Sequence, residues 1–97
     1  MPLFVLYGRD AAGALPLRLE HRPAHLAALA ALEREGRLRF AGPLLDAAGQ
    51  PCGSVVIFEA GELAAAQALV RADAYVVHGV FASYELHALR QVLPAAQ

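Results

Sequence analysis

The fold of this chain is decided by the stretch Leu3-Phe4-Val5-Leu6-Tyr7, which is rich in strand formers and ends at the turn signal Gly8-Arg9-Asp10. Apolar side chains occupy both alternating sides of this stretch. The same is true of residues 54–59, which carry Val-Val-Ile-Phe. An antiparallel sheet with one wet face alternates apolar and polar residues instead. We therefore expect both faces of the sheet to be covered.

Working outward from these two strands, the rest of the chain supplies two helices and two more strands. The predicted elements are, in order, strand 3–7, loop 11–16, helical turn 17–20, helix 23–36, strand 38–41, hairpin loop 46–53, strand 54–59, helix 62–71 and strand 80–86. Gly42-Pro43 is expected to end the second strand, and residues 93–97 are expected to fray. The order is β-α-β-β-α-β, which is typical of a ferredoxin-like α+β fold. Residues 1–97 are predicted to form a single domain.

The predicted architecture leaves one face of the sheet without a cover. Two helices pack on one face only, while 58% of the 97 residues are hydrophobic and a chain this short exposes much of its surface. The same face of a second subunit is the simplest cover. The sequence therefore predicts a homodimer in which two sheets pack together or join into a barrel.

Composition excludes several classes of protein. The formal net charge is -1 and no basic run is present, so neither nucleic acid nor a membrane is an expected partner. No apolar run is long enough to span a bilayer and no secretory signal is visible, so we expect a cytoplasmic protein. Cys52 is the only cysteine, which rules out a disulfide framework within the chain. No phosphate-binding loop occurs, so no cofactor is expected.

Several short motifs, taken in order, resemble one known family. They are Arg22-Pro-Ala-His25-Leu, Gly36-Arg-Leu38, Ala41-Gly42-Pro43, Gly53-Ser54, Asp73-Ala74-Tyr75 and Gly79-Val80. In this order and spacing the chain is similar, almost from end to end, to the YciI-like (YCII-related) family. The resemblance implies a ferredoxin-like dimeric α/β barrel related to muconolactone isomerase-like proteins. It also implies a histidine–aspartate pair in a cleft, which falls on His25 and Asp73.

Within that family, activity has been assigned to few members, and at least one is a dehydrochlorinase of a chlorinated aromatic-ring catabolite. The sequence departs from the family at one point, because the aspartate is usually followed by proline and here by Ala74. Proline would stiffen the chain after the second helix, whereas alanine leaves the backbone of Asp73 freer.

His25 and Asp73 are the candidate catalytic residues. His25 lies near the start of the first predicted helix and Asp73 just past the end of the second, and these helices lie side by side and antiparallel. A carboxylate bonded to one imidazole nitrogen fixes the tautomer and raises the basicity of the other nitrogen. Such a pair can remove a proton next to a carbonyl or phenol. The alternative is a surface or core histidine and an aspartate that merely ends a helix.

Four further residues are candidates for substrate binding. Arg22 lies three residues before His25, so it can hold an anionic group, or it can pair with Glu20 instead. Ser54 can donate a hydrogen bond, although it lacks the context of a serine nucleophile. Tyr7 and Tyr75 can line the pocket, or serve in packing with a satisfied hydroxyl.

No metal site is expected. His21 and His25 have chelating spacing, but Pro23 lies between them and is expected to leave His21 before the regular helix. His78 and His87 are expected to be solvated, and Cys52 to be an unreactive thiol.

Two functions remain open at this point. One is a cofactor-free lyase or isomerase acting on a small anionic cyclic metabolite. The other is a non-catalytic module that binds a small molecule or serves in dimeric assembly, because this fold hosts both.

Overall fold

The computed structural model describes residues 1–95, which form seven elements. They are β1 (Leu3–Asp10), α1 (Leu15–Arg34), β2 (Leu38–Leu45), β3 (Pro51–Glu59), α2 (Leu63–Ala72), α3 (Ala74–Val77) and β4 (Phe81–Leu89). The four strands form one antiparallel sheet in the order β2-β3-β1-β4. The ferredoxin-like α+β architecture is confirmed, with a short third helix inserted after α2. None of the helices in this part of the chain is long and apolar enough to cross a membrane.

All three helices pack on one face of the sheet. Phe4 and Leu6 of β1 and Val56 and Phe58 of β3 point to this face and are buried in the main hydrophobic core. The helices contribute further core side chains: Leu29, Leu32, Ala66, Val70 and Tyr75. Because alternate strand residues point to opposite faces, the neighbours of these core residues lie on the other side.

The opposite face of the sheet is apolar along the middle of β1 and β3, is polar on β4, where Glu85 and His87 lie, and carries no helix within residues 1–95. It presents Val5 and Tyr7 of β1, which pair with Ile57 and Val55 of β3. These side chains are only half-buried. Phe40 of β2 pairs with Ile57 and remains 52% exposed. An uncovered face of this composition is what the sequence pattern predicted.

The main helix begins earlier than the sequence suggested. It starts at Leu15, not near Pro23, so the expected loop at 11–16 is confirmed only over residues 11–14 and the separate turn at 17–20 is wrong. Pro16 occupies the first turn, where a missing N–H costs nothing. Pro23 lies inside the helix and loses one hydrogen bond, but the buried residues on either side of it, Arg18 and His25, hold the helix against the core.

The second and third strands are also longer than predicted. Gly42 and Pro43 lie inside β2 and do not end it, and Pro43 pairs with Ser54. β2 is an edge strand, which is where a sheet tolerates proline. The connecting turn is correspondingly short, since Pro51 already belongs to β3. The last strand runs from Phe81 to Leu89. Of the tail expected to fray, residues 96 and 97 lie outside the described residues.

Candidate functional site

A cavity of about 480 Å³ lies between α1 and the β2–β3 half of the sheet. Its polar lining consists of Arg18, Arg22, His25, Gln50, Ser54 and Tyr75. Its main apolar lining consists of Leu15, Leu19, Leu26, Leu29, Pro43 and Val56. The size and the mixture of an apolar wall with a few convergent polar groups are typical of a small-molecule site.

His25 and Asp73 are in direct contact at the inner end of this cavity. His25 Nδ1 lies 2.8 and 2.9 Å from the two carboxylate oxygens of Asp73, and only 6% and 7% of the two residues are exposed. Because a carboxylate only accepts hydrogen bonds, the Nδ1–H of the imidazole is the donor. The ring lines the cavity, and its Nε2 makes no hydrogen bond to any residue from 1 to 95. The pair thus leaves Nε2 without a partner among the described residues on the cavity side.

Asp73 is held in place by the junction between two helices. It ends α2 and precedes α3, and its carboxylate accepts a hydrogen bond of 2.8 Å from the backbone N–H of Tyr75. Aspartate is a preferred residue at such a helix start because it satisfies an otherwise unbonded N–H. Ala74, which stands where the family usually has proline, is the first residue of α3. The orientation of Asp73 therefore relies on two hydrogen-bonding partners, His25 and Tyr75.

Tyr75 links the histidine to the rest of the site. Its ring stacks on that of His25, with the centroids 3.8 Å apart and the planes at 6°, and meets Phe81 edge-on. Its hydroxyl donates a hydrogen bond of 3.2 Å to the backbone carbonyl of Arg18. Burial raises the pKa of Tyr75 from its ordinary value of 10.0, against the opposing effect of Arg18 and Arg22. The hydroxyl is thus kept neutral and serves as a donor.

Arg18 is the functional residue that the sequence analysis missed. Its Nε and Nη2 lie 2.6 and 2.9 Å from the carboxylate of Asp10, and Nη2 also donates to the carbonyl of Gly53 and the hydroxyl of Ser54. The guanidinium carbon lies 5.1 Å from the centre of the Tyr75 ring. Arg18 therefore brings a buried positive charge to the floor of the cavity.

One signal in the sequence pointed to Arg18. It stands four residues before Arg22 and seven before His25, which is helical spacing for a single face. Placing the start of the helix at Pro23 removed Arg18 from that face.

Of the four predicted substrate-binding residues, three line the cavity and one does not. Ser54 is buried, and its hydroxyl accepts from Arg18, so its hydrogen remains available to a ligand. Arg22 is exposed at the rim of the cavity, and no salt bridge joins it to Glu20. Tyr75 also lines the cavity. Tyr7 does not, because strand alternation puts it on the opposite face of the sheet, where Arg9 lies over its ring at 4.8 Å.

The other three histidines do not line the cavity. His21 lies within α1, not before it as expected, and its ring stacks on that of His78 at 3.8 Å. His78 is exposed in a turn, as expected, and its stacking on His21 is an addition to that expectation. His87 is exposed on β4 and lies 3.1 Å from Glu85, and Cys52 is an exposed thiol. Among residues 1–95, no three potential metal-ligating side chains of His, Cys, Asp or Glu converge.

Solved structures define the class of protein to which this fold belongs. A 5-chloro-2-hydroxyhydroquinone dehydrochlorinase (TftG) from Burkholderia phenoliruptrix, in complex with 2,5-dihydroxybenzoquinone, superposes with a TM-score of 0.85 at 27% identity. The match covers 97% of this chain and 99% of that one. Protein Atu4242 from Agrobacterium tumefaciens matches in fold, with a TM-score of 0.59 at 14% identity over 98% and 97% of the two chains. The fold is that of the dimeric α/β-barrel superfamily.

Sequence comparison then assigns the family. The model of the YCII-related domain matches residues 2–90. The proteins YciI of Escherichia coli and of Shigella flexneri are each 44% identical over 96 residues, covering 93% of this chain and 98% of theirs. This chain belongs to the YCII-related family, as its motifs indicated. The structural likeness to a dehydrochlorinase supports an enzyme-like role.

Proposed function

We propose that this chain is a cofactor-free enzyme of the lyase or isomerase type that acts on a small anionic cyclic metabolite. The observation that carries the proposal is the buried contact of 2.8 Å between His25 Nδ1 and Asp73. With Nδ1 donating to the carboxylate, Nε2 is the free basic atom on the cavity side. It takes a proton from a carbon or oxygen of the substrate and returns it, or passes it on, in a later step.

The neighbouring side chains supply the substrate contacts in this proposal. The hydroxyl of Ser54 donates to a substrate oxygen, and the charge of Arg18 beneath it favours negative charge as it develops there. Arg22 holds an anionic group at the rim. The stacked ring of Tyr75 keeps the imidazole in position. TftG, a relative that acts on a hydroxylated ring and is seen with 2,5-dihydroxybenzoquinone, supports this class of substrate.

We also propose that the chain works as a homodimer through the uncovered face of the sheet. The half-buried Val5, Tyr7, Val55 and Ile57 and the exposed Phe40 form an apolar surface that a second copy would cover. The superfamily to which the fold belongs is dimeric, which supports the same arrangement.

Replacing the proposed base tests the proposal. Turnover is measured by chromatography on a panel of hydroxylated and chlorinated rings and lactones, beginning with 5-chloro-2-hydroxyhydroquinone. His25→Gln and Asp73→Asn are each expected to lower turnover by about 10²- to 10⁴-fold. His78→Gln is the matched control, because His78 lies at the end of α3, on the helix side of the sheet, and does not line the cavity. It should leave turnover unchanged.

Folding of each variant is checked by circular dichroism and light scattering. If His25→Gln is folded and retains wild-type turnover, the proposed base is wrong. If the wild type binds these rings with measurable affinity and converts none of them, the chain is the binding module that the sequence left open.

A further inference from the structure

We infer that the natural ligand of the cavity carries an apolar arm in addition to the polar head that meets His25 and Ser54. The position of the head rests on the proposed function, whereas the arm follows from the rest of the cavity. The ligand class is therefore an amphipathic anion, larger than a single substituted ring.

The first observation is the volume. A cavity of about 150 Å³ is large enough to bind benzene, and the cavity of this chain measures about 480 Å³. A ring of that size would fill about a third of the space. The remaining volume is lined mostly by apolar side chains, against which a polar extension of the substrate would lose its bound water without gaining hydrogen bonds.

The second observation is the arrangement of side chains along α1. Arg18, Arg22 and His25 form one stripe along the helix, and Leu15, Leu19 and Leu26 form a second stripe beside it. Both stripes line the same cavity. The polar stripe of α1 can thus contact the head of the ligand, and the adjacent apolar stripe can contact its arm.

The third observation is the exposure of the apolar stripe. Leu15, Leu19 and Leu26 are 40%, 75% and 45% exposed, although all three line the cavity. Their side chains lie at the mouth, and Pro43 and Val56 extend the apolar wall on the sheet side. A ligand arm that leaves the polar end toward the mouth would cover these leucines and remove their apolar surface from water.

The chain-length dependence of binding tests this inference without requiring turnover. The probes are n-alkanoates from butanoate to decanoate, titrated by NMR or calorimetry. Each added methylene that enters the cavity should tighten binding by up to about fourfold. The gain should stop once the chain passes the mouth. Equal affinity across the series, or no binding of any alkanoate at millimolar concentration, would overturn the inference.

Variants at the mouth locate the arm. Leu19→Ser and Leu26→Ser should each weaken decanoate binding several-fold and leave butanoate binding unchanged. Leu63→Ser is the matched control, because Leu63 is 48% exposed on α2 and does not line the cavity. If the mouth variants shift the dimer to monomer in light scattering and the wild-type series is flat, these leucines are a subunit contact and the inference is wrong.

The two proposals fail separately. If binding does not depend on chain length but turnover still depends on His25, only the inference about the apolar arm is wrong. If binding depends clearly on chain length but the protein shows no turnover, only the proposed enzymatic function is wrong.

Discussion

Tyr75 contacts the pair of His25 and Asp73 and also the buried Arg18, through three different groups. Its ring covers His25, its backbone N–H holds Asp73, and its hydroxyl bonds to the backbone of Arg18. The hydroxyl stays protonated and can donate this bond, because burial raises the pKa of Tyr75. At neutral pH the hydroxyl therefore stabilises the folded chain. In alkaline solution its resistance to ionisation lowers the stability of the folded chain.

Replacing Tyr75 with phenylalanine should change the pH dependence of stability. Near pH 7 the variant loses one hydrogen bond, which costs about 0.5–1.5 kcal/mol. Above the ordinary pKa of 10.0 the unfolded tyrosine ionises while the folded one resists ionisation, so the wild type loses stability as pH rises. Tyr75→Phe should lose less. Urea unfolding near pH 7 and near pH 10.5 measures both effects.

The control for this experiment is Tyr84→Phe, since Tyr84 is 40% exposed on β4. It should follow the wild type across the pH range. Parallel curves for wild type and Tyr75→Phe would show that the buried hydroxyl does not resist ionisation.

Restoring the usual family residue after Asp73 should stabilise the chain. Ala74 is the first residue of α3, and Asp73 before it has φ -65° and ψ 136°, a conformation compatible with a following proline. Ala74→Pro should therefore raise the free energy of unfolding by about 0.4–1 kcal/mol. Ala72→Pro, two residues earlier and inside α2, should lower it instead. Urea unfolding of both variants checks the signs, and a destabilised Ala74→Pro would contradict the account.

At the scale of secondary-structure elements, Arg18 connects α1, β1 and β3. It projects from α1, pairs with Asp10 at the end of β1, and bonds to Gly53 and Ser54 in β3. A side chain on Gly53 would collide with the carbonyl oxygen of Gly8, so the two strands approach closely at this point. The floor of the cavity is thus a rigid meeting of one helix with two strands.

Removing the charge of Asp10 should be costly. Its side chain and that of Arg18 are 8% and 9% exposed, so Asp10→Asn leaves a buried guanidinium without its counter-ion. The expected loss in the free energy of unfolding is about 3 kcal/mol. Glu35→Gln is the control, because Glu35 pairs with Arg37 at the surface and such pairs contribute less than about 1 kcal/mol. Chemical denaturation that shows equal losses would refute the role of the buried pair.

The element order could be predicted from sequence because it depends on local patterns, whereas the contact between His25 and Asp73 joins residues 48 positions apart and was implied by the family resemblance. Helix α1 carries His25, and the junction between α2 and α3 carries Asp73. Arg18 could not be placed, because the cost of Pro23 inside a helix is outweighed by packing that a local rule does not include. Tyr7 was misplaced for a related reason. Both alternating sides of β1 are apolar, so the pattern does not say which side meets the helices.

At the scale of the whole molecule, the uncovered face of the sheet is the proposed contact between subunits. Ile57 lies on this face between Val5 of β1 and Phe40 of β2. Ile57→Lys should place a charge in the proposed dimer contact and yield a monomer in light scattering at micromolar concentration. Leu63→Lys on α2 is the control and should leave the dimer intact. A dimeric Ile57→Lys would place the subunit contact elsewhere.

The three leucines at the mouth of the cavity carry a consequence for how relatives of this chain diversify. The acid–base pair and the buried arginine are supported by the core, so substitutions there cost stability. Leu15, Leu19 and Leu26 lie largely in solvent, where substitutions change stability little. In the proposed ligand arrangement, substitutions at these three positions would therefore alter ligand preference while leaving His25, Asp73 and Arg18 in place. A library randomised at these three positions alone would be the economical starting point for retargeting the protein to new compounds.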